Sequence, residues 1–360
     1  MHKKFLSLET YRGIAALMIA AIHFDVNSPL VNHGLANGYF VHFFFTLSGF
    51  VIYHNYKDKI HNIYLLKKFI IKRFWRLYPL HLFFLILFLI IECLKYFIYN
   101  HYGLEANNAA FTKNNISAFI SNFFLVHTFL TEYTFNTPSW SISAEMLTYI
   151  IFALTIFFTK KIIYISLILI VIFTIRIIDD SYFGSSESGY LSLIDCIYCF
   201  ICGVISNKIY NIIKNESLYK KFKNNLALLL ILISLFSLFL MSGKILIVLP
   251  VIFSLTILFS CEIDKSCYLG KLLLNKILIF LGKISYSIYM SHLFVFWFLT
   301  QIYRFVFKFD TYNETETGFT KIILNTSQAN LMVLLSYGLT IFFSYFLFKY
   351  LENNYFYLKS

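Results

Sequence analysis

Residues 75–99 read WRLYPLHLFFLILFLIIECLKYFIY, and this stretch already indicates the class of protein. Between Leu80 and Ile91 it contains no charged residue and consists almost entirely of Leu, Ile and Phe. An α-helix needs about 20 predominantly apolar residues to cross the hydrocarbon core of a bilayer. The stretch is long and apolar enough to predict a transmembrane helix.

The rest of the chain has the same character. Of its 360 residues, 59% are hydrophobic and 13% are charged, and it contains 43 Phe and 27 Tyr. Soluble domains carry about a quarter charged residues, so a water-soluble fold is excluded. Disorder is excluded as well, because there is too much apolar surface to bury. Ten apolar runs predict ten transmembrane helices, at about residues 8–26, 38–56, 75–99, 140–159, 162–178, 191–210, 226–241, 244–260, 277–300 and 331–351.

A shorter apolar segment at 116–130 is interrupted by Asn122 and His127, and we interpret it as interfacial or re-entrant. With ten spans and both termini in the cytoplasm, most of the 30 Lys and Arg residues fall on the cytoplasmic side. This bias explains the net charge of +12, so we expect no nucleic-acid partner. The predicted fold class is all-α: a polytopic integral membrane bundle of about ten transmembrane helices plus one short interfacial or re-entrant segment, in the cell inner (plasma) membrane.

No feature of the sequence divides the chain into domains. Lys3 and Lys4 precede an apolar run, as in a signal peptide, but Arg12 interrupts that run and nine more runs follow, so we expect a retained first helix. No repeat or linker is visible, and the outer loops near 100–115, 179–190 and 310–330 are too short for catalytic domains. We therefore expect residues 1–360 to form one membrane domain, without a fused extracytoplasmic domain and with its chemistry inside the bundle.

Ionisable residues within apolar runs are costly and by default indicate a functional site. Arg12 and His23 both lie in the first run. Their separation of roughly eleven residues is about three helical turns, so both side chains face the same side, roughly 16 Å apart along the axis. Arg12 is near the cytoplasmic end and His23 near the outer end. An interfacial anchor at Arg12 and a carbonyl-bonded His23 would explain the same pair without chemistry.

A second basic cluster, KRFWRLYP at 72–79, lies at the cytoplasmic end of the run at 75–99. If this segment is helical, Arg73 and Arg76 project together at i, i+3. Guanidinium groups suit bidentate binding of phosphate oxygens, and Trp75 suits stacking on a base or packing at the interface. Binding of anionic lipid headgroups is the alternative, because composition alone does not separate lipid phosphate from cofactor phosphate.

These clusters belong to an ordered set of motifs. The set consists of LETYRGIAA at 8–16 followed by His23, FFTLSGF at 44–50, RFWRLYP at 73–79, WSISAE at 140–145 and LGKISYSIYMSH at 281–292. Together they resemble the membrane acyltransferase 3 family over most of the chain. LENN at 351–354 is similar to the closing Glu-x-Pro element of that family, with Asn354 in place of Pro. Other departures are Lys72, where many relatives carry Arg, and Thr10 and Tyr11, where relatives often have Gly and Leu.

The resemblance implies transfer of an acyl group, most often acetyl, from acyl-CoA to a hydroxyl of a carbohydrate or glycolipid. Acyl-CoA (acetyl-CoA) would be a co-substrate rather than a permanently bound cofactor. The acceptor would be an envelope glycan such as O-antigen or capsule, including a lipid-linked form. Because the donor is cytoplasmic and polyanionic, the expected donor-binding residues are Arg12, Lys72, Arg73 and Arg76. His23 would act as general base on the acceptor hydroxyl, or as nucleophile through an acyl-histidine, and the sequence does not decide between these routes.

Glu145 is the second catalytic candidate. At i, i+4 spacing it shares one helix face with Ser141 and Tyr149. Carried over from the family pattern, Glu145 would orient His23 or hydrogen-bond the acceptor. A buried carboxylate paired with another span is the alternative.

Further polar residues are expected to line the same cavity. Ser285, Tyr289 and His292 share a helix face by i, i+4 and i+7 spacing. Helix packing explains them nearly as well, and we expect Ser48 and Gly49 to allow close helix approach rather than to take part in chemistry. The expected substrate-binding residues are Trp140, Ser141, Tyr286 and His292.

Metal binding is not expected. Cys196, Cys199 and Cys202 imitate part of an iron–sulfur motif, but they lie within a span, lack a fourth Cys and spread over about 600° of helix rotation. The alternatives that stay open are an acyltransferase with another donor or a small-molecule acceptor, a glycolipid transporter, and a lipid-binding scaffold in which His23 is dispensable. A transporter is less favoured, because the chain has only 4 Pro and no visible repeat.

Overall fold

The structure, a computed structural model, describes residues 5–31, 38–104, 106–131, 134–159, 171, 190–240, 243–313 and 320–353. Most of these residues are helical. The described helices are α1 (Leu6–Ile22), α2 (Phe40–Tyr56), α3 (Ile63–Tyr102), α4 (Ile116–Phe123), α5 (His127–Leu130), α6 (Trp140–Thr159), α7 (Tyr190–Ile213), α8 (Ser217–Leu240), α9 (Gly243–Ser260), α10 (Tyr268–Leu273), α11 (Lys276–Lys283), α12 (Ser285–Phe305) and α13 (Thr326–Leu347).

Shorter elements complete the described part of the chain. A 3₁₀ turn at Thr137–Ser139 leads into α6, and a π-helical turn at Phe348–Glu352 extends α13. Between α12 and α13, β1 (Thr311–Asn313) and β2 (Thr320–Ile322) form an antiparallel hairpin in which Thr311 pairs with Ile322. The prediction of a helical membrane protein is confirmed.

The number of membrane spans differs from the expected ten. Among the described residues, five helices are long and apolar enough to cross a bilayer, and α11 with α12 would be a sixth if the bent pair is counted as one span. The five are Ile63–Tyr102, Thr137–Thr159, Leu191–Ile213, Ser217–Phe239 and Thr326–Glu352. The runs at 8–26 and 38–56 form helices of 17 residues each. Apart from residue 171, the run at 162–178 lies outside the described residues.

One predicted span is broken. The run at 277–300 was expected to form a single helix, but α11 and α12 meet at Ile284 with a bend of 72°. Gly282 explains where the chain turns, because a side chain there would meet the carbonyl oxygen of Glu9 in α1. Close backbone packing of α11 on α1 thus takes the first part of the apolar run out of line with the second.

By contrast, α3 is longer than expected. It has 40 residues, which corresponds to a length of about 60 Å, and it runs through Pro79. The Asn62 side chain caps its first turn by accepting from Leu65 N, and Gly103 ends it in the left-handed conformation with φ 64°. The basic cluster at 72–79 is therefore helical. The segment at 116–130 forms only α4 and α5, of 8 and 4 residues, and each is too short to span a bilayer.

Two glycine contacts bring the central helices together. A side chain at Gly49 of α2 would meet the carbonyl of Phe200 in α7, and one at Gly203 of α7 would meet the carbonyl of Thr46 in α2. The prediction that Gly49 permits close helix approach is confirmed. This packing fixes α2, which also lines a cavity bounded by α1, α3, α6 and α12.

Candidate active site

A cavity of about 230 Å³ lies among α1, α2, α3, α6 and α12. Its lining residues extend from Arg12 in α1 to Tyr289 in α12, so the cavity forms only in the folded bundle. Six of the ten expected site residues line it: Arg12, Arg73, Arg76, Ser141, Glu145 and Tyr286. Ser285 and Tyr289, also expected at this cavity, line it as well.

Two of the three cavity arginines have carboxylate partners. Arg12 Nη1 lies 3.5 Å from Glu9 Oε2, one turn earlier in α1. Arg76 Nη2 lies 4.0 Å from Glu352 Oε1 at the end of α13, and Glu352 also accepts a hydrogen bond of 3.0 Å from Ser287 Oγ. These two guanidinium groups are held in place by the protein's own acidic groups.

Arg73 has different surroundings. Its guanidinium lies over three aromatic rings, at 5.1 Å from Tyr56, 5.6 Å from Phe69 and 5.8 Å from Tyr149. Its Nε is buried without a hydrogen-bond partner, and no carboxylate of the described part of the chain pairs with it. Arg73 is thus a cavity cation whose charge is not neutralised by an acidic side chain of the described segments.

Glu145 lies on α6, one turn before Tyr149, whose ring contacts Arg73. Its carboxylate accepts hydrogen bonds from Ser48 Oγ at 2.6 Å and from the Tyr149 hydroxyl. As the i, i+4 spacing predicted, Ser141, Glu145 and Tyr149 all line the cavity. Ser48 was expected only to help helix packing, but it lines the cavity and bonds Glu145. Its position within the FFTLSGF motif was the one sequence signal for this contact.

His23 lies at the C-terminal end of α1, where its ring contacts a second imidazole. His292 Nε2 is 3.2 Å from His23 Nδ1, and the ring centroids are 4.9 Å apart. Each ring also bonds the carbonyl four residues earlier: His23 Nδ1 is 3.0 Å from Ile19 O, and His292 Nδ1 is 3.2 Å from Ile288 O. From the sequence, the two histidines are separate candidates with different roles. In the structure their imidazole rings are in direct contact.

The histidine pair does not line the cavity but lies next to its wall. Tyr289 lines the cavity, and its ring centroid is 6.1 Å from that of His292. The Tyr289 hydroxyl donates to Pro138 O at 2.7 Å and is 2.7 Å from Ser141 Oγ, so α12 and α6 are tied together at this wall. Tyr289 is thus a residue of the cavity wall that lies beside the histidine pair.

The acyltransferase domain family matches residues 5–350, essentially the whole chain. The chain belongs to the acyltransferase 3 family. Among curated proteins and among solved structures, no significant match is found. The resemblance seen in the sequence motifs is confirmed, and with the apolar helices it identifies the protein as a membrane acyltransferase.

Besides His23, three predicted residues of this acyltransferase lie outside the cavity wall. Trp140 is half-buried and packs behind Phe45, with ring centroids 6.2 Å apart. Lys72 is half-buried on α3, and His292 is buried against His23. Tyr286 does line the cavity, but its hydroxyl donates to Leu77 O at 2.6 Å and so ties α12 to α3.

The segment that follows His23 in the acyltransferase is anchored to α13 and to the hairpin. Phe24 packs edge-on against Tyr337, with ring centroids 4.9 Å apart. Asp25 forms an ion pair of 2.9 Å with Lys321 of β2, and Ser28 Oγ donates to Asn330 at 2.6 Å. These contacts hold the C-terminal end of α1 in position.

Polar groups elsewhere in the described segments of the acyltransferase lie in small separate contacts. In the part of the chain that the structure describes, no group of three or more His, Cys, Asp and Glu side chains has the arrangement of a metal site. His81 and His127 are stacked at 5.5 Å with an interplanar angle of 6°, and each bonds a backbone carbonyl. Cys196, Cys199 and Cys202 are buried free thiols.

Proposed function

We propose that this acyltransferase transfers an acetyl group from cytoplasmic acetyl-CoA to a hydroxyl of a cell-envelope carbohydrate, with His23 as general base. The observation that carries the proposal is a cavity lined by three arginines, with a histidine pair next to its wall. This arrangement matches a donor that has a polyanionic head and a reactive thioester at the end of a long arm.

Arg73 is the proposed contact for the anionic head of the donor. A half-buried guanidinium that has a buried Nε and no carboxylate partner among the described residues is electrostatically unsatisfied, and its donor groups suit a phosphate group. Tyr56, Phe69 and Tyr149 support its position through cation–π contacts. Arg12 and Arg76, already paired with Glu9 and Glu352, add positive potential but keep less capacity for a new anion.

In the proposed reaction His23 Nε2 accepts the proton of the acceptor hydroxyl as its oxygen attacks the thioester carbonyl carbon. The C–S bond then breaks, the acyl group stays on the oxygen as an ester, and the thiolate leaves. The proton on Nε2 passes to that thiolate, which restores neutral imidazole. For this to happen the acyl arm must extend beyond the cavity toward the histidine pair, near Tyr289, whose ring centroid is 6.1 Å from that of His292.

The two substrates arrive from opposite sides in this proposal. The positive-inside bias favours a cytoplasmic position for both termini and for the arginine end of α1, where acyl-CoA is made. His23 would then lie toward the outer face of the inner membrane, where envelope glycans and lipid-linked glycans are modified. Donor and acceptor would meet inside the bundle without either crossing the membrane.

The test is the acyl-ester content of surface glycans, measured by NMR in wild type, a deletion strain and a His23→Ala strain. We expect the ester signals to disappear in the deletion strain and in His23→Ala at equal membrane levels of protein. His101→Ala is the matched control, because His101 is exposed near the C-terminal end of α3 and does not line the cavity. Ester signals that persist in His23→Ala would contradict the general-base role, and signals unchanged in the deletion strain would contradict the acceptor class.

A further inference from the structure

The contact between His23 and His292 bears on how a general base at His23 would work, and this inference rests on the proposed function. A neutral imidazole carries one proton, on either Nδ1 or Nε2, and only the other nitrogen has a lone pair that can accept a proton. A histidine base therefore works only if its proton sits on the nitrogen that faces away from the substrate.

The hydrogen bonds of the pair determine both tautomers. A carbonyl oxygen only accepts, so the 3.2 Å contact to Ile288 O requires the His292 proton to sit on Nδ1. The Nε2 lone pair of His292 then faces His23 Nδ1 at 3.2 Å and needs a donor there. Ile19 O lies 3.0 Å from the same Nδ1 and, as a carbonyl oxygen, also requires a donor there. The contacts to Ile19 O and to His292 Nε2 therefore both place the His23 proton on Nδ1, which leaves the lone pair on Nε2.

We propose that His292 is a positioning residue that holds His23 in the Nδ1–H tautomer and so makes Nε2 the proton acceptor. His292 is fully buried and does not line the cavity, so the structure gives it a partner on His23 rather than contact with the cavity contents. This differs from the substrate-binding role expected from the sequence.

The same contact persists through the reaction step. When Nε2 takes the proton of the acceptor hydroxyl, His23 becomes an imidazolium and still donates from Nδ1 to the His292 lone pair. No proton moves between the two rings, so His292 is neutral throughout and only orients its partner. Glu145 does not serve this purpose in the structure, because its carboxylate bonds Ser48 and Tyr149.

The tautomers can be measured directly on the unmodified protein. In ¹⁵N NMR of histidine-labelled protein in detergent, protonated and lone-pair nitrogens have well-separated shifts. Peaks of His23 and His292 are assigned by their loss in His23→Ala and His292→Gln, and His101, bonded to Phe97 O through Nδ1 at 3.0 Å, gives the reference pattern. We expect the Nδ1–H tautomer for both residues at neutral pH, and an Nε2–H tautomer at His23 would overturn the proposal.

Activity variants test the role independently. His292→Leu introduces a side chain of similar bulk that has no hydrogen-bond acceptor. We therefore expect kcat to fall about 10²-fold, within the range of general-base effects, while the KM for acetyl-CoA stays unchanged. His292→Gln supplies an amide oxygen at the same place, so kcat should stay within about 10-fold of wild type. His101→Gln is the control for substituting a histidine with the same i−4 bond.

Wild-type kcat in His292→Leu, or equal losses in Leu and Gln variants that fold normally, would overturn the positioning role. Full activity of His23→Ala would instead overturn the proposed function itself.

Discussion

Arg73 and Arg76 lie one turn apart in α3 and both face the cavity, yet their guanidinium groups have different surroundings. Arg76 is paired with Glu352, while Arg73 rests on aromatic rings and keeps a buried Nε without a partner. The i, i+3 spacing predicted that both project together and gave them the same role. The structure separates them, because the partner of Arg76 comes from the far end of the chain.

Arg73→Gln should weaken binding of acetyl-CoA with little effect on folding. A charge-assisted hydrogen bond contributes about 1.5–3 kcal/mol, so we expect Kd to rise about 10- to 100-fold in calorimetric titration of the purified protein. The thermal unfolding midpoint should hardly change, because no carboxylate is left unpaired.

Arg76→Gln is the matched comparison, and it should lower the unfolding midpoint because it leaves Glu352 buried and unpaired. Adding Glu352→Gln should recover part of that loss, with a coupling of about 0.5–3 kcal/mol in the double-mutant cycle. Unchanged acetyl-CoA affinity in Arg73→Gln would contradict the assignment of Arg73 to the donor.

Sequence spacing predicted residue contacts within one helix but not between helices. Ser141, Glu145 and Tyr149 are on one helix, so i, i+4 geometry sufficed to place them on a common wall. His23 and His292 are separated by 269 positions, and their contact depends on how α12 packs against α1. Ser48 was missed for the same reason, because its partner Glu145 is 97 positions away.

At the scale of elements, two glycines determine how α11 lies against α1. A side chain at Gly282 would meet the carbonyl of Glu9, and one at Gly13 would come within 2.8 Å of Gly282 N. Arg12 is the neighbour of Gly13, so this contact also fixes the turn of α1 that carries the first cavity arginine. Hydropathy alone predicted one straight span at 277–300, because it contains no information on close backbone contacts between helices.

Gly282→Ala should destabilise the protein by about 1–3 kcal/mol, because the added methyl group must displace backbone rather than a flexible side chain. Thermal unfolding in detergent is the measurement. Gly338→Ala in α13 is the control, because nothing lies within 4 Å of the added carbon. Its unfolding midpoint should stay the same or rise slightly, since alanine is the better helix former. Equal midpoints for the two variants would contradict the close packing of α11 on α1.

At the scale of the whole molecule, hydropathy predicted the membrane class and many helices with good boundaries. The run at 140–159 coincides with α6, and the run at 38–56 nearly coincides with α2. The count of ten spans is not confirmed, because 17-residue helices and a bent helix pair do not meet the length for a full span in the described residues. The predicted orientation, with both termini in the cytoplasm, is supported by the distribution of Lys and Arg in the sequence.

The predicted orientation can be tested by cysteine labelling. Lys113, in the segment between α3 and α4, and Lys271, in α10, are both exposed and are expected on opposite sides. In a background with Cys93 and Cys267 replaced by Ser, an impermeant maleimide should label Lys113→Cys in intact spheroplasts. Lys271→Cys should react only after permeabilisation. The reverse pattern would contradict cytoplasmic termini.

The central claim is that the protein transfers an acyl group from a donor bound at the cavity arginines, with His23 as general base. It is tested most directly by supplying radiolabelled acetyl-CoA to inverted inner-membrane vesicles and counting label incorporated into membrane glycans. We predict incorporation by wild type and a decrease of at least about 10²-fold in His23→Ala, with acetyl-CoA affinity unchanged in the purified variant. Incorporation by His23→Ala at the wild-type rate would contradict the claim.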